Sequence, residues 1–101
     1  MDSAEEIGAR LARLRKALGH QQAKAFAEWI GTPDTTWNTF ERGHRRITFP
    51  EVMKVVNKTG ASLDWIYRGL EHTLPKHLAD KLEAFDKAQA APPANRQASN
   101  G

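Results

Sequence analysis

The sequence predicts an all-α fold, a compact bundle of five short helices over about 70 residues with a helical extension behind it. Three observations carry that expectation. Apolar residues recur at intervals of three and four along most of the chain, the period that lays a stripe on one side of a helix. Glycines punctuate those stripes at their ends, where the left-handed backbone that closes a helix needs a residue without Cβ. No alternating apolar–polar run competes, and the one β-branched stretch, Val52 to Val56, sits inside a capped helical period.

The first helix starts at Ser3, because Ser3 and Glu6 have capping-box spacing. Ile7, Leu11, Leu14 and Leu18 form its stripe, and Gly19 ends it. The second runs from about Gln22 to Ile30, with Ala23, Phe26, Ala27 and Ile30 on one face and Gly31 as its stop. The third takes Thr32 as N-cap and Pro33 at the first helical position, where a missing N–H costs nothing. It ends near Arg42, before Gly43, and turns Trp37 and Phe40 inward. The fourth opens on a second capping box, Thr48 with Glu51, buries Phe49, Val52, Met53 and Val56, and ends at Gly60. The fifth is capped by Ser62, carries Leu63, Ile66, Tyr67 and Leu70, and is closed by Gly69. A sixth follows Pro75, with Leu78, Leu82 and Phe85 in register. The chain divides into a domain over 3–70, a helical extension over 71–88 and an Ala/Pro/Asn/Ser-rich tail over 89–101 that is expected to be disordered.

Composition narrows the function classes. Forty per cent hydrophobic and 27% charged residues are ordinary for a soluble globular chain. With no cysteine, a disulfide framework, a thiolate zinc site and a cysteine nucleophile are excluded. The acidic start, Met1 to Glu6, has no hydrophobic segment, and no apolar run is long enough for a membrane span. The expectation is a cytoplasmic protein with no membrane partner. The four histidines, His20, His44, His72 and His77, form no metal motif, and no glycine-rich phosphate loop is present. No enzyme and no cofactor are expected.

A pI of about 9.5 accompanies a net charge of only +3, spread evenly along the chain. Placement says more than the total. Arg10, Arg13, Arg15 and Lys16 lie within the first helix and read as a solvated face. Arg42, His44, Arg45 and Arg46 follow the third helix across a glycine and so lie on a loop.

Gly31-Thr32 joins the second and third helices with almost no slack. A link that short forces a steep crossing, the geometry of a helix-turn-helix. The second helix of such a pair protrudes, and its N-terminal half can enter a major groove. With Trp37 and Phe40 inward, Asp34, Thr35, Asn38 and Thr39 face outward, and all four carry groups suited to base edges. Taken singly such residues are merely solvated; the steep turn, the polar face and the basic loop together point to DNA.

The stretch Phe26-Ala27-Glu28-Trp29-Ile30-Gly31, then Trp37, then Phe40-Glu41-Arg42-Gly43, resembles the lambda-repressor-like (Cro/repressor, or XRE) helix-turn-helix family. Thr59-Gly60-Ala61-Ser62-Leu63-Asp64-Trp65-Ile66-Tyr67-Arg68-Gly69 is similar to the close of the same domain, so the likeness covers roughly Ile7 to Leu70. It implies a five-helix DNA-binding domain, encoded by a bacterium or phage, that acts as a dimeric transcriptional regulator on the nucleoid. It also implies that Glu41 is buried and paired with Arg15. Family members commonly open the second helix with Ser/Thr-Gln, the Gln bonding a phosphate. Gln22 takes that role here, although Gly19-His20-Gln21-Gln22-Ala23 is one residue longer than usual. The third helix also lacks Arg, Lys and Gln before Arg42, so bidentate arginine–guanine contacts from its first half are not expected.

The mechanism expected is therefore specific. Gln22, Arg42, His44 when protonated, Arg45 and Arg46 neutralise phosphates. Thr35, Asn38 and Thr39 read bases, with Asn38 placed for adenine and the threonine methyls for thymine. Asp34 either accepts from a cytosine amine or, as the preferred role, interacts with its own helix N-terminus. A homodimer on a palindromic operator, repressing by occupancy, follows from the weakness of one such domain alone. Trp65, Tyr67 and Leu70, or Leu78, Leu82 and Phe85, are the candidate dimer surfaces, although Leu74, Leu78, Leu82 and Phe85 at helical spacing more often just pack onto the domain. The alternative is an antitoxin or antirepressor-type module that uses the same fold to hold a protein partner. RNA is disfavoured, since no exposed aromatic platform is expected beyond Trp29.

Overall fold

The computed structural model describes residues 2–90. These residues form six α-helices, α1 (Ala4–Ala17), α2 (Ala23–Ile30), α3 (Asp34–Glu41), α4 (Phe49–Thr59), α5 (Leu63–Arg68) and α6 (Lys76–Ala90), with one 3₁₀ turn at Glu71–Thr73. Among the described residues there is no strand and no helix long and apolar enough to cross a membrane. The final helix takes in Gln89 and Ala90, so the expected tail does not begin at residue 89, and the rest of it lies outside the described residues.

The Ser3–Glu6 pair caps α1 reciprocally. Glu6 N–H donates to Ser3 Oγ at 3.1 Å, and Ser3 N–H donates to the Glu6 carboxylate at 2.8 Å. The Ser3 backbone N–H, and then the Ser3 hydroxyl, favour the ionised carboxylate and hold Glu6 below its ordinary pKa. Ile7, Leu11 and Leu14 are buried, and α1 runs through the middle of the bundle against α3, α5 and α6. Gly8 is where α1 comes closest to α3: a Cβ there would stand 2.4 Å from the Phe40 carbonyl oxygen and 2.7 Å from that of Glu41. The core joins these residues to Phe26, Ile30, Trp37, Phe40, Val52, Val55, Trp65 and Ile66, and α6 adds Leu78 and Leu82.

The arginines of α1 do not form a solvated face. Arg10 bonds the Asp2 carboxylate and the Ile66 carbonyl (2.8 Å), tying the N-terminal residues and α5 to α1. Arg13 holds Asp86 of α6 through two bonds (3.0 and 2.6 Å) and Glu71 at 3.1 Å, and these carboxylates raise its pKa. Arg15 is buried, and only Lys16 of the four is simply exposed.

Several details of the helix starts and faces differ from the sequence reading. Pro33, not Thr32, is the N-cap of α3, which begins at Asp34. Thr32 is buried instead, and its hydroxyl donates to Glu51. For that reason Glu51 does not complete a capping box with Thr48, whose side chain makes no cap bond. Phe49, expected in the core, is 61% exposed, because α4 turns Val52, Val55 and Thr59 inward and leaves its first residue at the rim. Gln22 is the N-cap of α2 rather than its first residue. Leu70 lies beyond α5, and Trp65, Leu78 and Leu82 are buried within the domain and so cannot form a dimer surface.

Candidate nucleic-acid interface

The interface begins at the turn. Gly31 ends α2 with φ of 89°, a left-handed conformation that a side chain would strain. The N–H groups of both Gly31 and Thr32 return to the Ala27 carbonyl at 2.9 Å. Only three residues thus separate α2 from the start of α3. Trp37 and Phe40 face the core and are essentially unexposed. Since they occupy the inner side of an eight-residue helix, the polar positions must lie on the outer side.

Thr35, Asn38, Thr39, Arg42 and His44 line one surface hollow of about 220 Å³. Five residues singled out from sequence, three as base readers and two as phosphate contacts, therefore share one concavity. Within it the Thr39 hydroxyl donates to the Thr35 carbonyl at 3.0 Å, which leaves its oxygen lone pairs to accept. The Asn38 amide stands 3.5 Å from Asp34 Oδ1, too long to restrain it strongly. Asp34 does not line the hollow; it is the first residue of α3, where a carboxylate complements the helix dipole.

The basic residues separate into two groups. Arg42 and His44 are exposed at the hollow's edge. Arg45 places its guanidinium 5.9 Å from the centre of the Phe40 ring, and Arg46 bonds the Asp2 carbonyl, which draws it toward the start of the chain. Gln22 is exposed at the N-terminus of α2 and makes no side-chain cap bond.

The longer connection ahead of Gln22 is gathered by Arg15. Its Nη1 donates to the carbonyls of both His20 and Gln21 at 2.9 Å. The His20 ring stacks on Trp29 with centroids 5.1 Å apart and meets the edge of Phe26 at the same distance. The remaining nitrogens of Arg15 face Glu41, Nε to Oε2 at 2.7 Å and Nη2 to Oε1 at 3.1 Å, while Trp37 Nε1 donates to Oε2 at 2.6 Å. One guanidinium thereby joins α1, the α1–α2 connection and the end of α3. The roles of His20, Thr32 and Glu51 were not singled out from sequence; a polar residue next to a tight turn, as Thr32 is, was the available signal.

Among the described residues no group of three or more His, Cys, Asp or Glu is arranged to hold a metal ion. A family model described as a helix-turn-helix domain matches residues 6–66. No curated protein and no solved structure matches the chain significantly. The matched span runs from α1 into α5 and centres on the α2–turn–α3 unit. The chain therefore belongs to the helix-turn-helix domain family, with helices and motifs consistent with its lambda-repressor-like (XRE) branch.

Proposed function

We propose that the chain is a sequence-specific double-stranded DNA-binding regulator that represses by occupying a palindromic operator as a homodimer. The observation that carries this reading is the shared hollow of Thr35, Asn38, Thr39, Arg42 and His44 on the outer side of α3. It is polar, it has cationic groups at its far edge, and it stands on a helix that follows a tight turn, the arrangement that suits a major groove. Arg42, Arg45, Arg46 and protonated His44 neutralise phosphates on one side, and Gln22 with the N-terminus of α2 holds the strand on the other. Arg46 exchanges the Asp2 carbonyl for a phosphate on binding. Thr35, Asn38 and Thr39 read base edges, and Asp34 accepts from a cytosine amine or stays with its own helix N-terminus. Residues 3–70 form the reading head and 71–88 its helical support.

Selection of bound fragments from a random duplex pool, followed by sequencing, tests the reading. A two-fold symmetric motif is expected, with half-sites about one helical turn apart. No enrichment over the starting pool overturns it. A single stoichiometric protein recovered in place of DNA would put the partner-holding module in its stead.

A further inference from the structure

Helix α3 begins without a side-chain cap of its own, since Pro33 stands at its N-cap. The turn before it is held from another helix. Lys54 Nζ of α4 donates to the Gly31 carbonyl at 2.9 Å. The Thr32 hydroxyl donates to Glu51 Oε1 at 2.7 Å, and Lys54 lies 3.2 Å from the same carboxylate. Thr32 is only 4% exposed, so its bond to Glu51 is shielded from competing water. Two of the three residues between α2 and α3 are thus fixed by two side chains one turn apart on α4.

We infer that the Thr32–Glu51–Lys54 bridge sets the tilt of α3, which makes Glu51 a positioning residue for sequence reading. The second half of that inference rests on the DNA-binding function proposed above. An eight-residue helix is about 12 Å long. Its far end is held by the Arg15–Glu41 pair and by the close approach of α1 at Gly8. Released from the bridge, α3 therefore turns about that end, and a pivot of about 10° moves its start by about 2 Å, well outside the roughly 0.5 Å within which a recognition site must be held. Thr35, nearest the bridge, is displaced most. Gly31 and Pro33 carry no hydrogen-bonding side chain that could take over the duty. Glu51 serves because its carboxylate accepts from the Thr32 hydroxyl while Lys54 neutralises it and pins the preceding carbonyl.

The test uses the full chain with Thr32→Val, Glu51→Ala and Glu51→Gln, all measured well below their melting temperatures. Residual dipolar couplings of the α3 amides relative to α1 report the tilt in free protein. Fluorescence anisotropy reports affinity for the duplex most enriched from a random pool and for a random duplex. Thr32→Val and Glu51→Ala should each tilt α3 and lower the ratio of the two affinities by about tenfold, with random-duplex binding within about twofold of the parent. Glu51→Gln, which can still accept from the hydroxyl, should keep both the couplings and the ratio. The double variant should be no worse than either single one, as expected for two ends of one bond. If Glu51→Ala proves too unstable to measure, Thr32→Val carries the same expectation. Unchanged α3 couplings in Thr32→Val overturn the bridge, as does a Glu51→Gln variant that behaves like Glu51→Ala. A tilted α3 with an undiminished ratio overturns the specificity role. A tilted α3 in a protein whose parent enriches no sequence supports the bridge and overturns the DNA reading alone.

Discussion

Arg15 meets Glu41 with two nitrogens of its guanidinium, at 2.7 and 3.1 Å, in a site where the two side chains are 7% and 11% exposed. The pair closes α1 onto the last residue of α3, and the Trp37 indole completes the carboxylate's partners. Removing one member strands the other without water to replace it. Glu41→Ala should cost on the order of 3–5 kcal/mol. In a domain of this size that lowers the melting temperature by more than about 10 °C. Differential scanning calorimetry decides the matter, and an unchanged melt would show that the pair contributes nothing to the fold.

Asn38 carries the sharpest expectation for DNA. Its amide is held only by a 3.5 Å approach to Asp34, so it can turn to a base edge at little cost. Asn38→Ala should lose roughly 1–3 kcal/mol on the enriched duplex and almost nothing on random DNA. Equal losses on both would make Asn38 a bystander.

The basic loop should act on all sequences alike. Alanine at Arg42, Arg45 and Arg46 together should weaken binding uniformly. The slope of log affinity against log salt should fall by about 2–3, since each released phosphate contact contributes about 0.9. A salt titration with an unaltered slope would remove the loop from the interface.

Helix α6 is joined to α1 by leucines and by charges, and magnitude separates them. Leu78 and Leu82 are each 1% exposed, whereas Asp86 and Glu71 are half exposed around Arg13. Leu82→Ala should cost about 2–5 kcal/mol. Asp86→Asn should cost less than about 1 kcal/mol, because water screens that pair. Urea denaturation compares the two directly, and equal losses would refute the ranking.

The cap of α1 makes a pH prediction. Glu6 titrates below its ordinary value because the Ser3 backbone N–H, and then the Ser3 hydroxyl, favour its charged form. A carboxylate with a lowered folded pKa stabilises the fold above its unfolded pKa, and that support is lost as pH falls through the folded value. Ser3→Ala keeps the backbone N–H and removes only the hydroxyl, so it should raise the Glu6 pKa part of the way in an NMR titration. Ser3→Pro, which lacks both donors, should raise it further and reduce the loss of α1 amide protection on acidification. A Glu6 pKa as low in Ser3→Pro as in the parent would assign the shift to another cause.

Two capping patterns in the sequence look alike, Ser3 with Glu6 and Thr48 with Glu51, and only the first forms. Local spacing was sufficient where the Glu had no other partner. Glu51 has Lys54 one turn along α4 and Thr32 across the turn, and the contact with Thr32, 19 residues away, is one that no local pattern displays. Tertiary bonds likewise account for Arg10 and Arg13, whose partners Ile66 and Asp86 are remote in sequence; the equally remote Arg15–Glu41 pair was legible only through the family resemblance. What could be read beforehand were the helices, their glycine stops and the outward side of α3, because apolar period and turn chemistry act within a few residues. Phe49 was misread for the complementary reason: it continues the apolar pattern of α4 but falls at the edge, where the bundle has no neighbour to cover it.

The close approach at Gly8 has a bearing on how such a protein can change its preferences. The main chain of α1 lies flush against the carbonyls of Phe40 and Glu41, leaving no room for even a methyl group. All tolerance for substitution in α3 is therefore pushed to its outer side, where Thr35, Asn38 and Thr39 are not part of the buried core. A library varied at those three positions should keep its folded yield while its preferred duplexes diverge, and one varied at Gly8 should lose soluble protein. Rigidity at a single backbone contact thus leaves the outer surface open to new specificities.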